Sequence, residues 1–120
     1  MKYLWTTMHV KDLDKSVAFY EEVVGLTLEN RFPAGHGSEI AFMRSDGTET
    51  KVELLCRADF AGRSEDVALS LGFETENLEE KMTEIKAKGY AVSQIVSPNP
   101  KTRFFFVKDP DGIDIQFVEA

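Results

Sequence analysis

Glu53, His9, Trp5 and Thr7 are the residues whose types and spacing carry chemistry. Glu53 lies in the run Lys51-Val52-Glu53-Leu54-Leu55. Strand alternation puts Lys51, Glu53 and Leu55 on one face and Val52 and Leu54 on the other. A carboxylate so placed acts as a general base, as counter-ion to a cationic ligand, or as a group satisfied by neighbouring hydrogen-bond donors. Trp5 shares its own strand face with Thr7 and His9. Its indole offers a stacking surface to an aromatic or cationic molecule, or simply fills space. His9 is an acid or base near neutral pH, or a histidine at a strand end. Glu53 and His9 are therefore the candidate catalytic groups, and Trp5, Thr7 and Leu55 candidate ligand contacts.

Other reactive residue types are less well placed. Cys56 follows Glu53 by three, on the opposite strand face, with no histidine partner evident, and reads as a structural thiol. His36, in Pro33-Ala34-Gly35-His36-Gly37, reads as part of a loop, with a lid as the sharper alternative. Arg57 and Arg63 are candidate contacts for an anionic group, or else solvated surface or contacts to a partner chain. The glycines form no phosphate-binding pattern, so no nucleotide cofactor is expected.

Two helices and eight strands must position these groups. Leu13, Val17, Tyr20 and Val24 recur at helical spacing and predict a helix from Leu13 to Val24, capped by Asp12 or Asp14 and closed by Gly25. Leu78, Met82 and Ile85 predict a second from Leu78 to Lys88, with Asn77 and Glu80 as a capping box and Gly89 as its end. Strands are predicted at Tyr3–Val10, Leu26–Phe32, Glu39–Arg44, Lys51–Cys56, Val67–Phe73, Ala91–Val96, Arg103–Val107 and Ile113–Val118. Pro33-Ala34-Gly35, Asp46-Gly47, Pro98-Asn99-Pro100 and Asp109-Pro110-Asp111-Gly112 mark turns between them. The order is βαβββ, twice. Leu13 and Leu78 open the helices and Gly25 and Gly89 close them at a nearly constant offset, which makes an internal structural repeat of about residues 1–57 and 67–120 within one domain.

With 120 residues the chain is long enough for one domain with its own core. A net charge of −7 opposes general nucleic-acid binding and favours a cationic ligand. One cysteine excludes an internal disulfide and any multi-cysteine metal site. No run approaches the roughly 20 apolar residues of a membrane span, and Met1–Val10 has no secretory pattern. A cytoplasmic protein with no membrane partner is expected.

Three motifs give the repeat a family likeness. They are Val10-Lys11-Asp12-Leu13 running to Phe19-Tyr20 and Val23-Val24-Gly25-Leu26; Val52-Glu53-Leu54; and Phe106-Val107-Lys108-Asp109-Pro110-Asp111-Gly112 followed by Ile113-Asp114-Ile115-Gln116. Together they resemble the vicinal oxygen chelate superfamily, which includes glyoxalase I, epimerases, extradiol dioxygenases and bleomycin-resistance proteins. The resemblance implies an α+β fold in which two βαβββ units form a curved mixed sheet around a cavity. It also implies a homodimer. In metal-dependent members four strands each supply one ligand, usually His or Glu. The matching positions here are Trp5, Glu53, Ser70 and Gln116. The indole N–H is donor-only, and Ser and Gln are weak neutral ligands. The expectation is therefore no metal and no cofactor, with Ser70 and Gln116 joining Trp5, Thr7 and Leu55 as ligand contacts and hydrogen-bonding Glu53.

Three functions follow. The first is a metal-free protein similar to bleomycin-resistance proteins, binding a small cationic or aromatic molecule. The second is a metal-dependent lyase or isomerase of the lactoylglutathione lyase or epimerase type with a degenerate metal site. The third is a domain kept for assembly or regulation, with a vestigial cavity.

Overall fold

The computed structural model describes residues 1–62 and 68–119. Arg63, a candidate anion contact, and Val67, the first residue of the predicted fifth strand, lie outside the described residues. The chain forms two compact units, Met1–Asp66 and Val67–Ala120. Each follows the βαβββ order, so the fold is α+β.

In the first unit the elements are β1 (Trp5–His9), α1 (Leu13–Phe19), a π-helical turn (Tyr20–Val24), β2 (Thr27–Gly35), β3 (Ser38–Arg44) and β4 (Lys51–Arg57). The sheet order is β1-β4-β3-β2, with β1 parallel to β4 and the remaining pairs antiparallel. The helix starts where Asp12 accepts the Lys15 N–H at 3.1 Å; Asp12, not Asp14, is the cap. Asp14 instead pairs with Arg31 at 2.7 Å, and Arg31 also reaches Glu39 at 2.9 Å. Leu13, Val17, Phe19, Tyr20 and Val23 bury one side of this helical segment. They pack with Met8, Ala41, Met43, Val52 and Leu54 on one face of the sheet. Gly25 closes the segment at φ +88°, a left-handed backbone that an L side chain rarely adopts.

In the second unit the elements are β5 (Ser70–Thr75), α2 (Leu78–Ala87), β6 (Val96–Asn99), β7 (Thr102–Lys108) and β8 (Asp114–Glu119). The order β5-β8-β7-β6 repeats that of the first sheet, with β5 parallel to β8. Asn77 caps α2 by accepting the Glu80 N–H at 3.0 Å. Leu78 and Ile85 are buried with Phe105, Val107, Ile115 and Phe117. Asp109 is buried and accepts the N–H groups of Asp111 at 2.9 Å and Ile113 at 2.8 Å, which shapes the Asp-Pro-Asp-Gly turn.

Several expected boundaries move. The predicted helix Leu13–Val24 is α-helical only to Phe19 and continues as the π turn. Pro33-Ala34-Gly35 is not a turn but the end of β2. It lies on an edge strand, where a proline removes no ladder bond from a central pairing. The reversal is the two residues His36 and Gly37, with φ of 52° and 76°, so His36 sits at a tight hairpin tip rather than in a longer loop. The strand expected at Val67–Phe73 is Ser70–Thr75. The strand expected at Ala91–Val96 is only an isolated bridge at Val92, and β6 begins at Val96. The Ser93 hydroxyl accepts the Phe106 N–H at 2.8 Å in place of a backbone carbonyl, which interrupts the pairing there.

Candidate functional site

Strand register orders the first unit's sheet face away from α1. Buried Met8 on β1, Ala41 and Met43 on β3, and Val52 and Leu54 on β4 face the helix. Their alternates face away. Three rows result. Trp5, Lys51 and Arg44 are register neighbours; so are Thr7, Glu53 and Phe42; so are His9, Leu55 and Ile40, with Phe32 paired to Ile40.

Glu53 is the centre of the middle row. The Thr7 hydroxyl donates to Glu53 Oε1 at 2.5 Å. The carboxylate is thus oriented by one neighbour on β1, and Phe42 flanks it on β3. Trp5 packs edge-on to Phe42 with ring centroids 5.2 Å apart, yet remains 42% exposed. Phe42 also stacks on Phe32 at 6.2 Å. The half-buried carboxylate therefore lies among aromatic rings, an environment that attracts a cation through both charge and ring quadrupole. His9 packs its ring against Phe60 at 5.9 Å and is one row beyond Glu53.

The first row leads into a cavity of about 380 Å³ lined by Leu4, Trp5, Glu29, Arg44, Lys51 and Glu49 among others. Glu29 accepts from Lys51 at 2.7 Å and lies 3.5 Å from Arg44. Lys51 Nζ is 5.8 Å from the Phe42 ring centroid. Lys2 pairs with Glu49.

Ser70 and Gln116 lie in the second unit. Ser70 is exposed at the start of β5, beside Asp114 in register. Gln116 is half-buried between Gly72 on β5 and Phe106 on β7. A side chain at Gly72 would approach Gln116 Oε1 to 3.4 Å, so this glycine leaves the amide its room. The Cys56 thiol donates weakly to the Lys11 carbonyl at 3.7 Å, and Arg57, at the end of β4 on the face of Glu53, lies 3.6 Å from Asp59.

Alternation alone groups Trp5 with Thr7 and His9, and Glu53 with Leu55. Phe42 and Arg44 escaped because they join Glu53 and Lys51 only through the β3–β4 register, which no local pattern encodes. Phe60 escaped because it follows the last strand of its unit.

Trp5, Glu53, Ser70 and Gln116, the residues that the sequence resemblance matches to the ligand positions of metal-dependent proteins, present one carboxylate and no imidazole. Indole has no lone pair to offer, one Glu53 oxygen already takes the Thr7 hydroxyl, and a serine hydroxyl and an amide oxygen are weak neutral donors. That donor set does not suit zinc or nickel. Among the described residues, no group of three His, Cys, Asp or Glu side chains gathers at one place.

The family model of the Glyoxalase/Bleomycin resistance protein/Dioxygenase superfamily matches residues 2–117. The chain belongs to this superfamily. One relative within reach by sequence is a lactoylglutathione lyase of Salmonella typhimurium, 30% identical over 130 aligned positions that cover 100% of this chain and 93% of that protein. Among solved structures, TnmS3, an antibiotic binding protein from Streptomyces sp. CB03234, superposes with a TM-score of 0.81 at 23% identity, covering 100% of this chain and 96% of that one. A glyoxalase I mutant from Zea mays gives a TM-score of 0.87 at 21% identity over 99% of this chain and 44% of that one. The two structural likenesses show the shared fold. The superfamily's own description joins glyoxalase, bleomycin resistance protein and dioxygenase, and the residues of the site have to decide among them. No helix among the described residues is long and apolar enough to cross a membrane.

Proposed function

We propose that this superfamily member binds a small aromatic organic cation without a metal, with Glu53 as counter-ion and Trp5 and Phe42 as walls. The observation that carries this reading is the Glu53 carboxylate, held by the Thr7 hydroxyl and set among aromatic rings on the face away from α1. A carboxylate that already accepts from Thr7 still has lone pairs for a ligand N–H. The resemblance matches Trp5 to a ligand position of metal-dependent proteins, and its exposed ring offers a stacking surface. Leu55 and His9 extend the contact towards the apolar row. In this reading the two units belong to one domain that acts as a homodimer in the cytoplasm, and His9 and Glu53 perform no proton transfer.

A second reading is a lyase or isomerase of the lactoylglutathione lyase type, supported by the identity to such enzymes over the full chain. It needs a divalent metal on a donor set poor in strong ligands, so metal dependence separates the two. The test is a thermal-shift screen of aromatic amines, with and without chelator, together with elemental analysis of the purified protein. The binding reading expects amines to raise the melting temperature equally in chelator, because a ligand that prefers the folded state stabilises it. About one tightly held metal per chain, with no amine response in chelator, overturns it in favour of the lyase.

A further inference from the structure

We infer that the cavity at the Trp5–Lys51 end of the first sheet is a seat for an anionic group, so that the ligand is amphoteric. It carries a protonated amine for Glu53 and a carboxylate, or a group of like charge, for Lys51 and Arg44. This rests on the reading of Glu53 as counter-ion and adds a second charge to the ligand.

Lys51 and Arg44 are register neighbours and lie two residues from Glu53 and Phe42 along the same strands. Two strand residues span about 7 Å, so the cationic row and the carboxylate are about one small ring apart. Trp5, at the β1 end of the cationic row, packs on Phe42 of the carboxylate row and lines the cavity. The cavity is of about 380 Å³, within the range of small-molecule sites.

Charge decides what this end takes. Among the described residues, Lys51 and Arg44 share a single carboxylate, that of Glu29. Lys2 and Glu49 cancel each other at the rim. The lining therefore keeps one positive charge in excess, inside a chain whose net charge is −7. A local excess opposite in sign to the whole molecule is what an anion seat requires. The Arg44 contact to Glu29 is the looser of the two, at 3.5 Å against 2.7 Å. Its guanidinium retains N–H donors for a planar oxyanion. The opposite end of the same face is apolar, with Leu55, Ile40 and Phe32. A ligand that matches the face thus has an apolar end, a central amine and an anionic end.

The experiment compares two probes, benzylamine and 4-(aminomethyl)benzoate, which differ by a carboxylate held across the ring from the amine. The chain has one tryptophan, so its single indole N–H signal in a proton–nitrogen NMR spectrum reports on the site. The full chain is titrated in chelator at low salt. We expect 4-(aminomethyl)benzoate to bind about tenfold more tightly than benzylamine, as one charge-assisted hydrogen bond provides. That ratio should collapse towards one in Lys51→Met. Arg44→Met, on the neighbouring strand, should collapse it too, and decides the matter if Lys51→Met does not fold. If benzylamine binds and the added carboxylate brings no gain, the anion seat is overturned while the Glu53 reading stands. The seat is equally overturned if the ratio survives in a folded Lys51→Met or Arg44→Met protein. If neither probe moves the indole signal, the Glu53 reading itself fails and takes the seat with it.

Discussion

The two units repeat one scaffold and carry different chemistry. Facing the helix, each sheet is an apolar layer: Ala41, Met43, Val52 and Leu54 in the first, Phe105, Val107, Ile115 and Phe117 in the second. Each helix begins at an Asx cap, Asp12 or Asn77. On the faces away from the helices the likeness ends. The first has Glu53 among Trp5, Phe42 and Thr7, with an excess cation one row away. The second has Gln116 beside Phe106, and a cavity of about 390 Å³ whose Lys108 and Asp114 pair with each other at 2.7 Å. Packing and capping hold both copies to one pattern. The faces away from the helices carry little of that load, and there the two copies differ in charge and donor type. A site is therefore expected where the charges are not already cancelled, in the first unit.

The largest expected effects come from the layers that the units share. Leu54→Ala in the first unit should cost about 2–5 kcal/mol and Phe117→Ala in the second about 3–5 kcal/mol in urea unfolding, since both side chains are fully buried. A much smaller loss in one unit would break the equivalence of the two layers. Asp109→Ala comes next, at about 1–3 kcal/mol, because it leaves the buried N–H of Ile113 without its acceptor. Asp12→Ala and Asn77→Ala should each cost about 1 kcal/mol, and nearly equally, by loss of the caps.

Glu79 gives the smallest effect. The Arg103 guanidinium holds its carboxyl below the usual carboxylate range. A lowered folded value means that the pair's contribution is present above the unfolded value and is lost as pH falls through the folded one. Wild type should therefore lose slightly more stability on acidification than Glu79→Gln, and the difference should shrink in salt because the pair is exposed. An equal loss in both proteins would remove the pair from the account.

The same contrast explains what could be read in the sequence. Asn77 before Leu78, Asp12 before Leu13, and the closing glycines are local signals, so both helices and the doubled βαβββ order were legible. The face shared by Trp5, Thr7 and His9 was legible too, because alternation is local. What was not legible depends on partners distant in the chain. The π turn ends with Leu26 N–H donating to the Tyr20 carbonyl at 2.8 Å, a closure that the apolar spacing does not encode. The run Ala91–Val96 has the composition of a strand, but Ser93 takes the place of a backbone acceptor and breaks it. Phe42 and Arg44 reach Glu53 and Lys51 only across the register of two strands. Glu29 meets Lys51 from β2, next to the irregularity between Leu28 and Asn30.

In the proposed reading Glu53 binds an organic cation without a metal. Its most direct test is a calorimetric titration of benzylamine, in chelator near pH 7, into wild type and Glu53→Gln. The glutamine keeps an oxygen for the Thr7 hydroxyl, so the fold should be retained while the charge is lost. Saturable binding to wild type in chelator and at least about tenfold weaker binding to Glu53→Gln are expected. Equal binding by both proteins, or binding to wild type only when a divalent metal is restored, would contradict it.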